Sequence, residues 1–354
     1  MRFIGKKDKL LDKIYQVVKS TKIKDGVFCD FFAGTASVGN FFKQKGFKII
    51  SSDLLFFSYV LQEAYIKNNT QPKFTKLLKN IGYDKENKLF LTPLEKVIKH
   101  LNNLAGKKGF IYRNYTEEET KELSVPRKYF TPKNGMKIDA IRSQIEKWKK
   151  DKKITNREYF ILLACLIESV PFYANISGVY AAFLKEYDPR ALKDFKLRPI
   201  KINKSNKKHT VYNKNSMDLI KKLDVDILYI DPPYNNRQYA SNYHLLETIA
   251  KYDNPVIKGV SGVRNYDNQK SEFCNEISAL TSLDKIAELA KYKYLILSYN
   301  SEGIMSQKKI INTLKKYGDV ELKEVDYRRF RSNSNGEAKH KKNIKEQIYL
   351  LIRK

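Results

Sequence analysis

At 354 residues the chain is long enough for two domains, or for one domain with a large insertion, and its 12% aromatic content argues against a disordered chain. Sixty-eight Lys and Arg against 39 Asp and Glu leave a net charge of +29, which favours a polyanion such as duplex nucleic acid as partner. Cys29, Cys165 and Cys274 lie far apart, which excludes a disulfide framework and a zinc site, and no run of about 18 apolar residues exists to span a membrane.

A reducing, cytoplasmic location is therefore expected, and the start, Met1-Arg-Phe-Ile-Gly-Lys-Lys7, lacks an apolar signal core. Leu10, Leu11, Ile14, Tyr15 and Val18 recur at helical spacing and predict a helix over 8–19, with Asp8 as its N-cap. Residues 26–39, Gly-Val-Phe-Cys-Asp-Phe-Phe-Ala-Gly-Thr-Ala-Ser-Val-Gly, read as a short apolar strand, a turn of small residues and a helix from near Ser37. Small residues let a ligand approach the backbone, and the helix start offers free N–H groups. The next strand, 48–52, ends in Asp53, which is well placed to accept both hydroxyls of a ribose. Turn and acid together imply a nucleoside-bearing cofactor in a doubly wound α/β sheet.

Between about 71 and 204 the strand–helix alternation is lost. Residues 127–134 interleave cations with aromatics, 138–150 predict a helix with a basic face, and 159–169 a buried apolar helix. A small-residue turn at 175–180 is expected to lead into a strand or helix up to 185. Such interleaving suits phosphate contact with base stacking. Alternation resumes with a strand from Thr210 that ends in an amide-rich turn, and a helix over 217–223.

An apolar run over 227–230 then stops at Asp231-Pro-Pro-Tyr234, which predicts a buried central strand ending in a stiff polar loop. The tetrapeptide suits chemistry on an amino group conjugated to an aromatic ring. Hydrogen bonds from that amine to the Asp231 carboxylate and the Pro232 carbonyl would localise its lone pair, and Tyr234 would stack on the ring. Beyond it the pattern predicts a helix at 245–250, a central strand at 294–300, a helix at 306–317, and strands at 320–328 and 346–353 around a very basic loop. His244 reads as structural or DNA-facing.

The order of Phe3-Ile-Gly-Lys-Lys-Asp-Lys-Leu-Leu11, Asp30-Phe-Phe-Ala-Gly-Thr-Ala-Ser-Val-Gly39, a long insertion and Asp231-Pro-Pro-Tyr234 resembles the alpha group of DNA adenine N6-methyltransferases, the Dam-like enzymes. Arg127-Lys-Tyr-Phe-Thr131, Ile138-Asp-Ala-Ile-Arg142, Asn175-Ile-Ser-Gly-Val-Tyr180, Tyr234-Asn-Asn-Arg-Gln-Tyr239 and Tyr243-His-Leu-Leu-Glu247 look like the FokI-type modification enzymes of restriction systems. The resemblance covers nearly the whole chain. It implies a Rossmann-like catalytic domain over 1–70 and 205–354 that binds S-adenosyl-L-methionine, and a mainly helical target-recognition insertion over 71–204. It places Gly5, Lys7, Asp30, Phe32 and Gly34 near the methionine end of the cofactor, Asp53 on the ribose, and Asn215 and Ser216 near the adenine, with Phe3 and Thr35 also binding the cofactor. Asp231, Pro232, Pro233 and Tyr234 become catalytic, with Asp231 also beside the cofactor. Arg127, Lys128, Tyr129, Arg142, Asn175, Ser177, Tyr180, Arg237 and Tyr239 become the DNA-facing set.

Two positions depart from the family pattern. Ala36 stands where a second glycine is common, which the turn tolerates if the residue needs no positive φ. Asn215 stands where an acidic residue is common, although an amide still hydrogen-bonds an adenine amine. The implied reaction is methyl transfer to N6 of a flipped adenine in duplex DNA, without metal or covalent enzyme intermediate, with a cognate restriction endonuclease as further partner. Cytosine N4 or RNA base methylation, and a catalytically inactive DNA-binding protein on the same fold, are the alternatives.

Overall fold

The β-branched and aromatic runs form the seven strands of the main sheet: β1 (Val27–Asp30), β2 (Lys48–Ser52), β3 (Thr210–Tyr212), β4 (Asp224–Ile230), β5 (Lys291–Asn300), β6 (Gly318–Arg328) and β7 (Asn343–Arg353). They make one sheet in the order β3-β2-β1-β4-β5-β7-β6 in the computed structural model, which describes residues 7–82, 91–328 and 343–354. β1 to β5 are mutually parallel, and β7 runs antiparallel between β5 and β6. Strands covered on both faces must be apolar throughout, and Phe28, Ile227 to Ile230 and Leu295 to Leu297 are all buried. Chain order reverses direction between β1 and β4, the place where a doubly wound sheet opens a crevice at its carboxyl ends. The register pairs Asp30 with Tyr229 and with Ser51, so Asp30, Asp53 and Asp231 all emerge at that edge.

The sheet belongs to a unit made of residues 7–62, 205–242, 266–328 and 343–354. Its first helix is Leu11–Ser20, with Leu10 at the N-cap and no side-chain cap, so the capping role expected of Asp8 is not present. Helix Ser37–Gln44 begins where expected. In place of a helix over 217–223 stand two 3₁₀ turns, Ser216–Asp218 and Ile220–Lys222, because Leu223 is already extended to feed β4. Helix Glu276–Leu289 was not anticipated, although Asn275 caps it and Ala279, Leu283, Ile286 and Ala287 are buried at helical spacing. The final helix runs from Gln307 to Leu314 under a Ser306 cap.

The second unit takes residues 63–82, 91–204 and also Tyr243–Asn265, so the inserted unit is larger than the 71–204 expected. Helix His244–Lys251 is buried through nearly its whole length, and its apolar residues need the cover of that unit's helices. Helix Pro132–Lys150 starts six residues before the expected 138, since Thr131 caps it and Pro132 fits its first turn. Helix Asn156–Ser169 opens with a Thr155/Glu158 capping box. No strand or helix follows Asn175 up to residue 185; the side chain of Asn175 organises that loop by bonding Leu184 O and Asp188 N. Among the described residues no helix is long and apolar enough to cross a membrane.

Candidate active site at the ends of β1 and β4

The turn after β1 carries the first part of the site. Asp30 is 1% exposed; its Oδ2 accepts the Gly39 N–H at 3.2 Å, and its Oδ1 has no partner. Burial first, and then the nearby Asp231 and Asp53 charges, push the Asp30 carboxyl up to about 8 against the pull of the Gly39 N–H. Gly34 sits at φ +49° and Ala36 at φ +61°. Ala36 therefore does occupy the left-handed region, contrary to the expectation for a turn lacking the second glycine. That conformation costs a non-glycine residue roughly 1–2 kcal/mol, which its fully buried methyl partly offsets at about 0.8 kcal/mol. Thr35 is buried and its hydroxyl meets that of Ser37 at 3.2 Å.

Asp53 follows β2 and is half-buried. Its Oδ2 accepts the Gly34 N–H at 2.8 Å and its Oδ1 the Leu55 N–H at 2.9 Å, so both oxygens are held in a fixed orientation. The Asn215 side chain accepts the Met217 N–H at 3.1 Å and donates to Glu272 Oε1 at 3.1 Å. An exposed carboxylate thus stands beside the amide, on a segment that sequence reading did not connect to it. Ser216 is buried, and Phe32 packs edge-on against Phe273 with ring centres 5.2 Å apart. Phe3 and Gly5 lie outside the described residues.

The loop after β4 carries the second part. Pro232 and Pro233 are buried, and the half-buried Tyr234 is tied by its carbonyl to the Ile304 N–H at 3.0 Å. Asp231 is 18% exposed, with Oδ1 3.2 Å from Lys7 Nζ. Lys7 Nζ also donates to Glu346 Oε2 at 3.0 Å, and Asn300 Nδ2 donates to Glu346 Oε1 at 3.1 Å. Lys7, expected near the cofactor's methionine end, is bound to the Asp231 carboxylate. Glu346 was not anticipated; its one signal is a lone acid within the apolar strand β7, opposite Asn300 in register. Burial raises Asp231 to about 7; the Lys7 ammonium pulls it down and Glu346 pushes it up. Burial disfavours the Lys7 ammonium, but the two carboxylates outweigh it and hold its pKa above the usual lysine value.

The residues expected to face DNA divide sharply. In the sheet unit Arg237 is exposed and Tyr239 half-buried. In the inserted unit Arg127, Tyr129, Arg142, Asn175 and Tyr180 are all buried; the side chains of the first four bond within that unit, and the Tyr180 hydroxyl has no hydrogen-bond partner among the described residues. Arg127 donates to the carbonyls of Val260, Asn114 and Gly259, and Tyr129 Oη to Tyr180 O. The duplex-facing reading of these five gives way to an internal one, because buried cations must be satisfied by the fold that buries them. Lys128 is half-buried 3.0 Å from Glu117, and Ser177 is half-buried. His244 is buried, bonded through Nε2 to Tyr180 O at 2.8 Å, and lowered by burial to about 4, so it stays neutral and structural.

Over residues 3–313 the chain matches the family described as D12 class N6 adenine-specific DNA methyltransferase. It is 42% identical to Type II methyltransferase M.FokI of Planomicrobium okeanokoites, across 96% of this chain and 51% of that one. Modification methylase StsI of Streptococcus sanguinis is 38% identical across 100% of this chain and 52% of its own, so the chain spans about half the length of these two relatives. Type II methyltransferase M.NlaIII of Neisseria lactamica is 37% identical across 99% of both chains. With Asp30 and Asp231-Pro-Pro-Tyr234 at adjoining strand ends, the chain belongs to the D12 class N6 adenine-specific DNA methyltransferase family.

Proposed function

We propose that this protein methylates N6 of a flipped adenine in duplex DNA, with S-adenosylmethionine as donor, and that it is the modification half of a restriction system with a cognate endonuclease. The observation that carries the reading is the juxtaposition of Asp231-Pro-Pro-Tyr234, after β4, with the Asp30 turn, after β1, at the point where strand order reverses. S-adenosylmethionine, when bound, supplies a methyl group on a sulfonium, already activated for direct displacement. The residues fit such a group: the unpartnered Oδ1 of Asp30 suits a cationic amine, and Asp53 is oriented to accept ribose hydroxyls. Asp231 and the Pro232 carbonyl accept the target amine's N–H groups, which localises the lone pair on N6. Tyr234 stacks on the base, and Asp231, raised to about 7, is matched to take the surplus proton at neutral pH. The test is transfer of a labelled methyl group from S-adenosylmethionine to duplex DNA, with the product nucleoside identified; N4-methylcytosine or no product would sink the reading.

Two predictions belong to this site. Tyr234→Phe keeps the stacking face and retains most of the activity, whereas Tyr234→Ala loses stacking worth about 1–3 kcal/mol. Equal rates in the two variants would mean that position 234 does not hold the base. The second concerns protons. A carboxyl near 3.9 in the unfolded chain and near 8 in the fold keeps its proton at neutral pH, and a cationic ligand must displace it. Affinity for S-adenosylmethionine therefore rises from about pH 6 to pH 8 and levels off above, and Asp30→Asn flattens the profile. Calorimetry across that range decides it; an unchanged slope in the variant would assign the proton elsewhere.

A further inference from the structure

The buried ammonium of Lys7 lies between two carboxylates that two different strands supply, Asp231 after β4 and Glu346 on β7. Neither Lys7, 3% exposed, nor Glu346, 4% exposed, has access to water that would dilute the interaction. Glu346 is itself fixed from the other side by Asn300, its register partner on β5. A buried ion cluster is poor value as a stabilising device, since desolvation offsets most of the attraction. Its place directly behind the one carboxylate that faces the proposed target amine gives it another use.

We propose that Glu346 is a positioning residue of the transfer reaction: it holds Lys7 on Oδ1 of Asp231 and keeps that lysine from neutralising the carboxylate, so that the second oxygen accepts the amine. The inference rests on the methyltransferase reading above and extends it to a residue outside the catalytic loop. Lys7 alone beside Asp231 would be free to swing across both oxygens and compete with the amine. With Glu346 on its far side, the ammonium is drawn away at 3.0 Å and meets Asp231 through a single oxygen at 3.2 Å. Among the described residues the other ionisable groups that face this cluster are Asp30 and Tyr229; both respond to the Asp231 charge, and Tyr229 also to Glu346.

The two partners act on Asp231 with opposite sign, which makes the idea separable from a packing role. In full-length Glu346→Gln the shape and the Asn300 contact are kept, Lys7 passes wholly to Asp231, and the acid limb of the rate–pH profile moves to lower pH. Turnover falls by roughly tenfold to a hundredfold, the scale of a misplaced catalytic group, while the apparent constant for S-adenosylmethionine is unchanged. In Lys7→Met two carboxylates face each other without a cation, and the limb moves to higher pH. Adding Glu346→Gln to Lys7→Met then restores part of the rate and brings the limb back, so one substitution harms the wild type and helps the variant. The measurement is single-turnover methylation of duplex DNA against pH for all four proteins, with cofactor affinity by calorimetry as the check on folding. If Glu346→Gln folds poorly, the comparison of Lys7→Met with the double variant still decides. A limb that does not move in Glu346→Gln, or a double variant no better than Lys7→Met, overturns the proposal. Wild-type protein that methylates nothing would remove the underlying reading and this inference together.

Discussion

Asp231→Ala lowers methyl transfer by roughly 10²–10⁴-fold, the usual contribution of a group that receives the proton of a reacting amine, while the cofactor still binds. The variant folds because Lys7, which would otherwise be left as a buried unpaired charge, keeps Glu346 at 3.0 Å. Cofactor binding survives because its proposed contacts are the Asp30 turn and Asp53, which are held by their own backbone bonds to Gly39, Gly34 and Leu55. A secondary effect gives the test a second readout. The Asp231 charge helps to raise Asp30, so its removal lowers the Asp30 carboxyl toward the ordinary range. The pH at which cofactor affinity levels off then moves down from about 8. Turnover near the wild-type rate would refute the role of Asp231. A lost cofactor complex would show that the two halves of the site are not independent.

Arg142→Met destabilises the inserted unit by roughly 3–5 kcal/mol and leaves the salt dependence of DNA binding as it was. The Arg142 side chain is 2% exposed; its Nε donates to Ile249 O at 3.0 Å, its Nη2 to Ala250 O at 3.1 Å and its Nη1 to Glu146 at 2.8 Å. Ile249 and Ala250 are in the last turn of helix His244–Lys251, where carbonyls lack helical partners and the helix dipole favours a cation. A thioether supplies no donor, so those carbonyls are left buried and bare. Lysine at the same position restores the charge but not the planar fork, and recovers only part of the loss. Denaturation monitored by calorimetry reads the effect directly. An undiminished melting temperature together with a shallower salt slope would return Arg142 to the duplex.

The strands and the Asp-Pro-Pro-Tyr loop that ends β4 were legible in the chain because both are local. Alternation of apolar runs with small-residue turns marks β1, β2, β4, β5 and β7 within a few residues, and two prolines after an Asp end a strand wherever it lies. Asp30 and Asp53 were legible for the same reason, each at the end of such a run. The helix over Glu276–Leu289 was equally local, with an Asn cap and helical spacing, and it was missed rather than hidden. What the sequence could not reveal is where side chains meet. Lys7 and Glu346 are 339 positions apart, and nothing in either neighbourhood says that one ammonium joins that acid to Asp231. Charge composition had the same limit in the inserted unit. A basic and aromatic stretch looks alike whether its arginines face phosphate or cap carbonyls of the fold, since both need the same donors. Burial alone separates the two, and burial of Arg127 and Arg142 depends on Tyr243–Asn265, a segment more than 90 positions downstream that only the tertiary structure assigns to their unit.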